Sequence, residues 1–275
     1  MLRSWKLWLG VLLLVLLGVS AGIGPLLIDE AATQPLYAAF NKSPSAEFPL
    51  GTDDVGRDLL ALLVYGLWPT LSIGIIAGTL GTGIGTVLGL ISGYFRGPVD
   101  VVIRTLSDIV LTIPLLVVLI LIASFTRTTT IEGTALIVGL LAWAGPTRTL
   151  RAQVLTLRER TFIQMAQLSR LNNFQIIFLE LLPNLMPYIL AGFIDAIAGG
   201  ILASVGLQLL GIGPLLIPNM GMTLNSAFAG GAMIRGFWWW WAPPVLVLTL
   251  LFLATFLITL ALDEIANPRL QGTTQ

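Results

Sequence analysis

The chain contains no histidine and no cysteine, and only 28 of its 275 residues carry a formal charge, 14 Lys/Arg against 14 Asp/Glu. Without histidine it lacks the commonest general base and the commonest metal ligand. Without cysteine it has neither disulfides nor thiolate sites, and its redox compartment leaves no trace in the sequence. Charged residues make up 10% of the chain, against about 25% in soluble domains, so there is too little charge to cover a water-facing surface. What is present is apolar: 56% hydrophobic residues and a mean hydropathy of +0.93. That excludes a disordered chain, which needs low hydrophobicity. The composition is that of a membrane protein, and one poorly equipped for covalent chemistry.

A helix crosses the hydrocarbon layer with ~20 apolar residues. Six runs qualify as helical spans: Leu7–Ile28, Pro69–Phe95, Leu106–Phe125, Gly133–Pro146 with an extension toward Leu150, Met186–Ile212 and Trp241–Leu262. They are too long for tilted barrel strands of ~10 residues. The expected fold is therefore an all-α integral membrane protein of six transmembrane helices with both termini on one side. With that side cytoplasmic, ten basic residues lie inside (Arg3, Lys6, Arg96, Arg104, Arg148, Arg151, Arg158, Arg160, Arg170, Arg269) and four outside (Lys42, Arg57, Arg127, Arg235). This satisfies the positive-inside rule. Arg3 and Lys6, the apolar run and Val19-Ser20-Ala21 also have the form of a signal peptide. The run continues through Ile28, which favours a retained span.

Within the spans, glycines 74, 78, 81, 85, 89 and 93 form a stripe at i+3/i+4 spacing. Small residues let helix backbones approach closely in lipid, which suits a helix packed inside the bundle or one that slides between two states. Asp195 is the one charge deep in a span, where a carboxylate costs ~3 kcal/mol. It belongs either to a translocation path or proton relay or to a structural hydrogen bond near a helix end. Arg104 and Asp108 are spaced to pair on one helix face. Trp238 to Trp241 are placed as an interfacial anchor, with carbohydrate stacking as the alternative. Asp53-Asp54 and Asp263-Glu264 read as solvated charges.

The inside loop at 149–185 is the most informative segment. Residues 162–170 read as a short helix, Asn172-Asn173 as its break, and Phe174–Leu182 as a second helical stretch stopped by Pro183. The apolar stripe Phe162, Ala166 and Leu168 suits docking into a partner's groove, or equally a membrane-surface amphipathic helix. No Gly-x-x-x-x-Gly-Lys-Ser/Thr motif occurs, so any ATP driving this protein must bind another chain.

Several motifs carry a family resemblance. Phe48-Pro49-Leu50-Gly51-Thr52-Asp53-Asp54-Val55-Gly56-Arg57-Asp58 resembles the "PLGTD-x-x-GRD" segment of peptide/nickel-type ABC importer permeases. Gly93-Tyr94-Phe95, Asp100, Arg104, Asp108 and Pro114 follow that family's "GYF…D…R…D…P" order. Ile176-Ile177-Phe178 through Leu182-Pro183-Asn184 resembles the end of its cytoplasmic "EAA" loop. Leu207–Gly213 with Pro218–Gly221 resembles "LSFLGLG…P-x-x-G", and Asn267-Pro268-Arg269 resembles the "DPR" tail. The set spans residues 48–269 in order, and the additional first span resembles the C-type subunit of dipeptide, oligopeptide and nickel importers.

The resemblance implies a type I ABC importer permease fold in the inner (plasma) membrane of a prokaryote. It divides the chain into a first helix (1–28), an extracytoplasmic segment (29–68) with Gly51, Thr52, Asp53, Gly56, Arg57 and Asp58, a permease domain (69–264) and a cytoplasmic tail (265–275). It implies a B-type permease partner, two cytoplasmic ATPase subunits holding ATP and Mg2+, and an extracytoplasmic solute-binding protein. It implies neither a nucleic-acid partner nor a cofactor or metal bound directly. The ATPase-coupling loop then includes Gln164, Met165, Ala166, Arg170, Asn172, Asn173, Ile177, Leu182 and Pro183, and the translocation path Asp195 and Ser204. The family's Glu-Ala-Ala falls on Gln164-Met165-Ala166 and its loop glycine on Arg170, which leaves Asn172-Asn173 to make the turn and lengthens the docking helix. The family's Glu before "LSFLG" is Ser204. The competing class is an ion-coupled transporter using Asp195. The substrate (peptide, nickel complex or oligosaccharide) is not written in these residues.

Overall fold

A computed structural model describes residues 5–126 and 130–266. Arg3, Arg127 and the Asn267-Pro268-Arg269 tail lie outside the described residues. The described chain is helical: α1 (Trp5–Leu27), α2 (Leu59–Phe95), α3 (Gly97–Thr112), α4 (Leu115–Thr126), α5 (Ile131–Leu141), α6 (Ala144–Arg158), α7 (Thr161–Leu168), α8 (Asn173–Gln175), a π-helical stretch Ile176–Leu181, α9 (Leu182–Leu209), α10 (Met220–Ala229) and α11 (Trp238–Ala266). Four helical segments are long and apolar enough to cross a membrane: Trp5–Leu27, Leu59–Phe95, Asn173–Leu209 and Trp238–Glu264. A fifth crossing exists if α3 and α4 count as one, although they bend by 84°. The expected unbroken third span is thus broken, because Ile113 precedes Pro114 and is pushed into extended backbone. The expected fourth span is also divided, with α5 ending at Leu141 and α6 starting at Ala144.

The glycine stripe makes α2 the axis of the bundle. All six glycines are buried. A Cβ at Gly74 or Gly78 would lie within 3 Å of Ile201 or Ile197 of α9; one at Gly85 would come within 2.6 Å of Pro146, and one at Gly89 within 3.0 Å of the Thr147 carbonyl. Gly93 meets Val154 in the same way. Backbones in lipid associate through such van der Waals contact rather than through a hydrophobic driving force. The seam lets α2 hold α9 with its upper half and α6 with its lower half. Around it, α1 lies against α11, where Gly10 faces the Ala254 carbonyl and Ile258. Lys6 pairs with Glu264, bringing the start of α1 beside the end of α11. The Tyr65 hydroxyl donates to the carbonyls of Pro25 and Ile28, pinning the other end of α1 to α2.

Within the tryptophan run, the interfacial-anchor expectation is corrected for Trp240. Trp238 stays exposed, but Trp240 is fully buried, its ring filling the space a side chain at Gly230 would need. Pairing between Arg104 and Asp108 is not found within 4 Å. Asp100 is instead held bidentately by Arg151 of α6 at 2.5 and 2.7 Å and receives the Ser92 hydroxyl at 2.5 Å. Three helices, α2, α3 and α6, are joined at that carboxylate.

Gly85→Leu should destabilise the purified protein by about 1–3 kcal/mol or more through overpacking. Gly83→Ala, where a Cβ meets nothing within 4 Å, should be neutral or gain up to about 1 kcal/mol from helix propensity. Thermal unfolding in detergent checks both.

Candidate functional site: a clamped outer motif, a surface segment and a carboxylate-lined cavity

The motif at 51–58 is a structural clamp. Gly51 and Gly56 adopt positive φ (72° and 81°), and side chains there would strike the Lys42 and Ala38 carbonyls. Between them, Thr52 donates to the Ala39 carbonyl and accepts from the Lys42 amide. Asp53 is fully buried, so reading it as a solvated charge is corrected: it accepts from the amides of Val55 and Arg57 and pairs with the Arg57 guanidinium at 2.5 Å. Asp58 caps α2 by accepting from the Leu60 amide. Burial pushes the Asp58 carboxyl above its usual value, against the lowering pull of the Leu60 and Ala61 amides. Burial, then the neighbouring Asp53 carboxylate, raises Asp54 as well. Gly51, Thr52, Asp53, Gly56, Arg57 and Asp58 thus all hold the fold of this segment.

The segment from Thr161 to Leu181 lies on the lower end of the bundle. Ile163 and Ala166 of α7 pack with Ile176, Ile177 and Leu181 against Leu90, Tyr94 and Val154. The Tyr94 hydroxyl donates to Asn173 at 2.9 Å, and Arg158 donates to the Tyr94 carbonyl. Ala166 therefore faces inward, which corrects its place in the outward stripe. The outward apolar face is formed by Met165, Leu168 (79% exposed), Phe174 (73%) and Phe178, with the less exposed Phe162 at its edge. Gln164 is exposed beside them.

The turn between the two short helices also differs from expectation. α7 ends at Leu168, and Arg170 itself takes left-handed backbone at φ 60°. The Leu171 amide then reaches back to the Ala166 carbonyl at 3.3 Å, a helix-ending pattern that glycine serves best. Asn172 does not make the turn. It opens the next helix with a capping box shared with Gln175. Nor does Pro183 stop the helix. Leu182 donates to the Ile177 carbonyl, five residues back, and the wider π turn accommodates a proline that lacks an N–H and crowds the carbonyl four residues earlier. Leu182 and Pro183 begin α9, so helix runs on from Asn173 to Leu209.

Asp195 lines a mostly apolar cavity of about 640 Å³ bounded by Thr82, Pro114, Pro146, Tyr188 and Gly192. The breaks between α3 and α4 and between α5 and α6 open onto it. Asp263 lines it too while remaining exposed; Glu264 beside it is taken by Lys6. The Thr259 hydroxyl donates to Asp195 at 2.8 Å. Ser204 is not part of this cavity. Nine residues on from Asp195 along α9, it falls on the opposite helix face. There it is buried, accepting from Gln208 at 2.9 Å. Sequence reasoning missed Asp263 because it sits at the end of the last apolar run. It missed the Asp100–Arg151 pair because the partners are 51 residues apart.

Residues 85–272 match the family described as the binding-protein-dependent transport system inner membrane component. The chain belongs to that family. The permease is 30% identical over 221 residues to the oligopeptide transport system permease protein OppC of Lactococcus lactis subsp. cremoris, covering 80% of this chain and 75% of that protein. It is likewise 30% identical over 237 residues to the dipeptide transport system permease protein DppC of Haemophilus influenzae, covering 86% and 79%. These relatives are C-type subunits, as is this permease. Among solved structures, the inward-facing MetNI methionine ABC transporter aligns with a TM-score of 0.49 at 24% identity, covering 74% of this chain and 94% of that one. As a permease subunit of an ABC transporter, the chain is a multi-pass membrane protein and not an ATPase.

Two outcomes are expected. Arg170→Gly relieves left-handed strain of about 1–2 kcal/mol against an unfolded-state cost of about 0.5–1 kcal/mol. Amides 169–175 should therefore exchange roughly two- to five-fold more slowly in hydrogen-exchange mass spectrometry. Asp53→Ala leaves Arg57 without its buried partner and should cost about 3–5 kcal/mol, read as a lowered thermal midpoint.

Proposed function

We propose that this permease is the membrane-spanning subunit of an ATP-driven importer that takes peptides or similar small solutes from a solute-binding protein and passes them inward by alternating access. In this reading it sits in the inner membrane of a prokaryote with six membrane segments, α5 supplying the short one, and both termini cytoplasmic. The Lys6–Glu264 pair and the ten-to-four division of basic residues support that orientation. A B-type permease completes the path, and two ATPase subunits carry ATP and Mg2+.

The observation that carries the proposal is the surface segment. Its inner face is packed into the bundle through Ile163, Ala166 and Ile177, while Met165, Leu168 and Phe174 stay exposed. An exposed apolar cluster on an ordered two-helix element suits the groove of a partner protein. Because Asn173 to Leu209 is helical throughout, force applied there reaches the cavity beside Asp195.

Met165→Asp with Leu168→Asp should abolish solute uptake and uncouple ATPase activity in the reconstituted complex, with membrane insertion unchanged. Ala166→Asp is a poorer probe, since it buries a carboxylate and would unfold the segment. Normal uptake and coupled ATPase activity in the Met165/Leu168 variant would overturn the docking role. The ion-coupled alternative keeps one supporting observation, the Asp195 and Asp263 pair in the cavity. It requires gradient-driven uptake without ATP that Asp195→Asn removes.

A further inference from the structure

A second, smaller cleft of about 180 Å³ opens between α3 and α6, lined by Arg104, Ser107, Asp108, Thr147, Arg148 and Arg151. Arg151 is engaged by Asp100, but none of the ion pairs within 4 Å among the described residues includes Arg104 or Arg148. Three guanidinium groups thus face two carboxylates, Asp100 and Asp108, with one positive charge in excess. The hydroxyls of Ser107 and Thr147 are turned inward, donating to the carbonyls of Ile103 and Trp143, so the available donors are guanidinium N–H groups.

The depth of the cleft identifies its surroundings. The Thr147 carbonyl and the Arg151 amide lie 3.0 and 3.2 Å from the Cβ position of Gly89. Gly89 is six residues from the end of α2, about 9 Å along the axis. The 37 residues of α2 extend about 55 Å, against a hydrocarbon layer of about 30 Å. A centred α2 therefore extends about 12 Å past the hydrocarbon at each end, which places the cleft in the headgroup layer.

We propose that this cleft binds a phosphate-bearing anion through Arg104 and Arg148, the occupant in the membrane being the headgroup of an anionic phospholipid. Guanidinium forks match phosphate oxygens in bidentate geometry, and basic pockets between membrane helices hold acidic headgroups. A phosphodiester monoanion supplies the one negative charge the cluster lacks. The inference goes beyond the transport reading and requires only that the chain spans a bilayer.

The test uses the full chain in nanodiscs of phosphatidylcholine alone or with added phosphatidylglycerol, read by thermal unfolding and by native mass spectrometry of retained lipid. The wild type should retain phosphatidylglycerol and unfold at a higher temperature with it. Arg104→Gln with Arg148→Gln should lose both effects, with at least ten-fold weaker retention, whereas Arg235→Gln on the opposite side should lose neither. Inorganic phosphate is titrated separately in detergent. Saturable, arginine-dependent stabilisation by phosphate without lipid retention would assign the site to free phosphate. Should the double Gln variant fail to fold, Arg104→Lys with Arg148→Lys, which keeps the charge and loses the fork, should retain less lipid than the wild type. Equal behaviour of the wild type in both nanodiscs and with phosphate, or unchanged retention in the variants, would overturn the proposal.

Discussion

Close backbone contact along one face of α2 is the constraint on which the rest depends. Lipid offers no hydrophobic force to press helices together, so attraction must come from contact at short range. Glycines at 74, 78, 81, 85, 89 and 93 allow it along the length of the helix, toward α9 at one end and α6 at the other. Much of what has functional potential hangs from those two partners. α6 carries Arg148 and Arg151 and leads into the surface segment. α9 carries Asp195 and is fed by that same segment.

Polar contacts then fix what the glycine seam leaves free. The Asp100 carboxylate gathers Ser92 and Arg151 at one level; at the next, the Tyr94 hydroxyl ties Asn173 of the surface segment to the end of α2, and Arg158 of α6 donates to the Tyr94 carbonyl. On the other side of the bundle, buried Asp53 performs the same office for the segment before α2. A charge inside a protein costs heavily unless it is paired and hydrogen-bonded, and both carboxylates satisfy that condition fully.

The helical class, the apolar runs and the buried glycine face were legible because each depends on local composition or on helical period. The breaks were not. Pro114 lies inside a run that hydropathy alone treats as continuous, and Pro183 looks like a terminator until the π turn before it is seen. Arg170 was recognised as standing where a glycine is expected, yet the backbone keeps the left-handed turn there and strains the arginine instead of moving the turn to Asn172-Asn173. Tertiary packing of Ile163 and Ala166 on one side and Ile176 on the other holds that geometry in place. Asp263 and Asp195 meet at one cavity although 68 positions separate them, a relation no window on the sequence contains.

The proline tolerated at Pro183 has a mechanical consequence. A helix that stopped there would form a joint, and motion at the surface would be lost as flexing. Instead the helix continues from Pro183 through Pro187 to Leu209, about 40 Å, so that pivoting it as one body by about 10° at the surface sweeps its far tip through about 7 Å. That is wider than a water molecule, and the carboxylate of Asp195 rides near the middle of the arc. The single widened turn thus gives the molecule a continuous lever where its sequence suggests a stop.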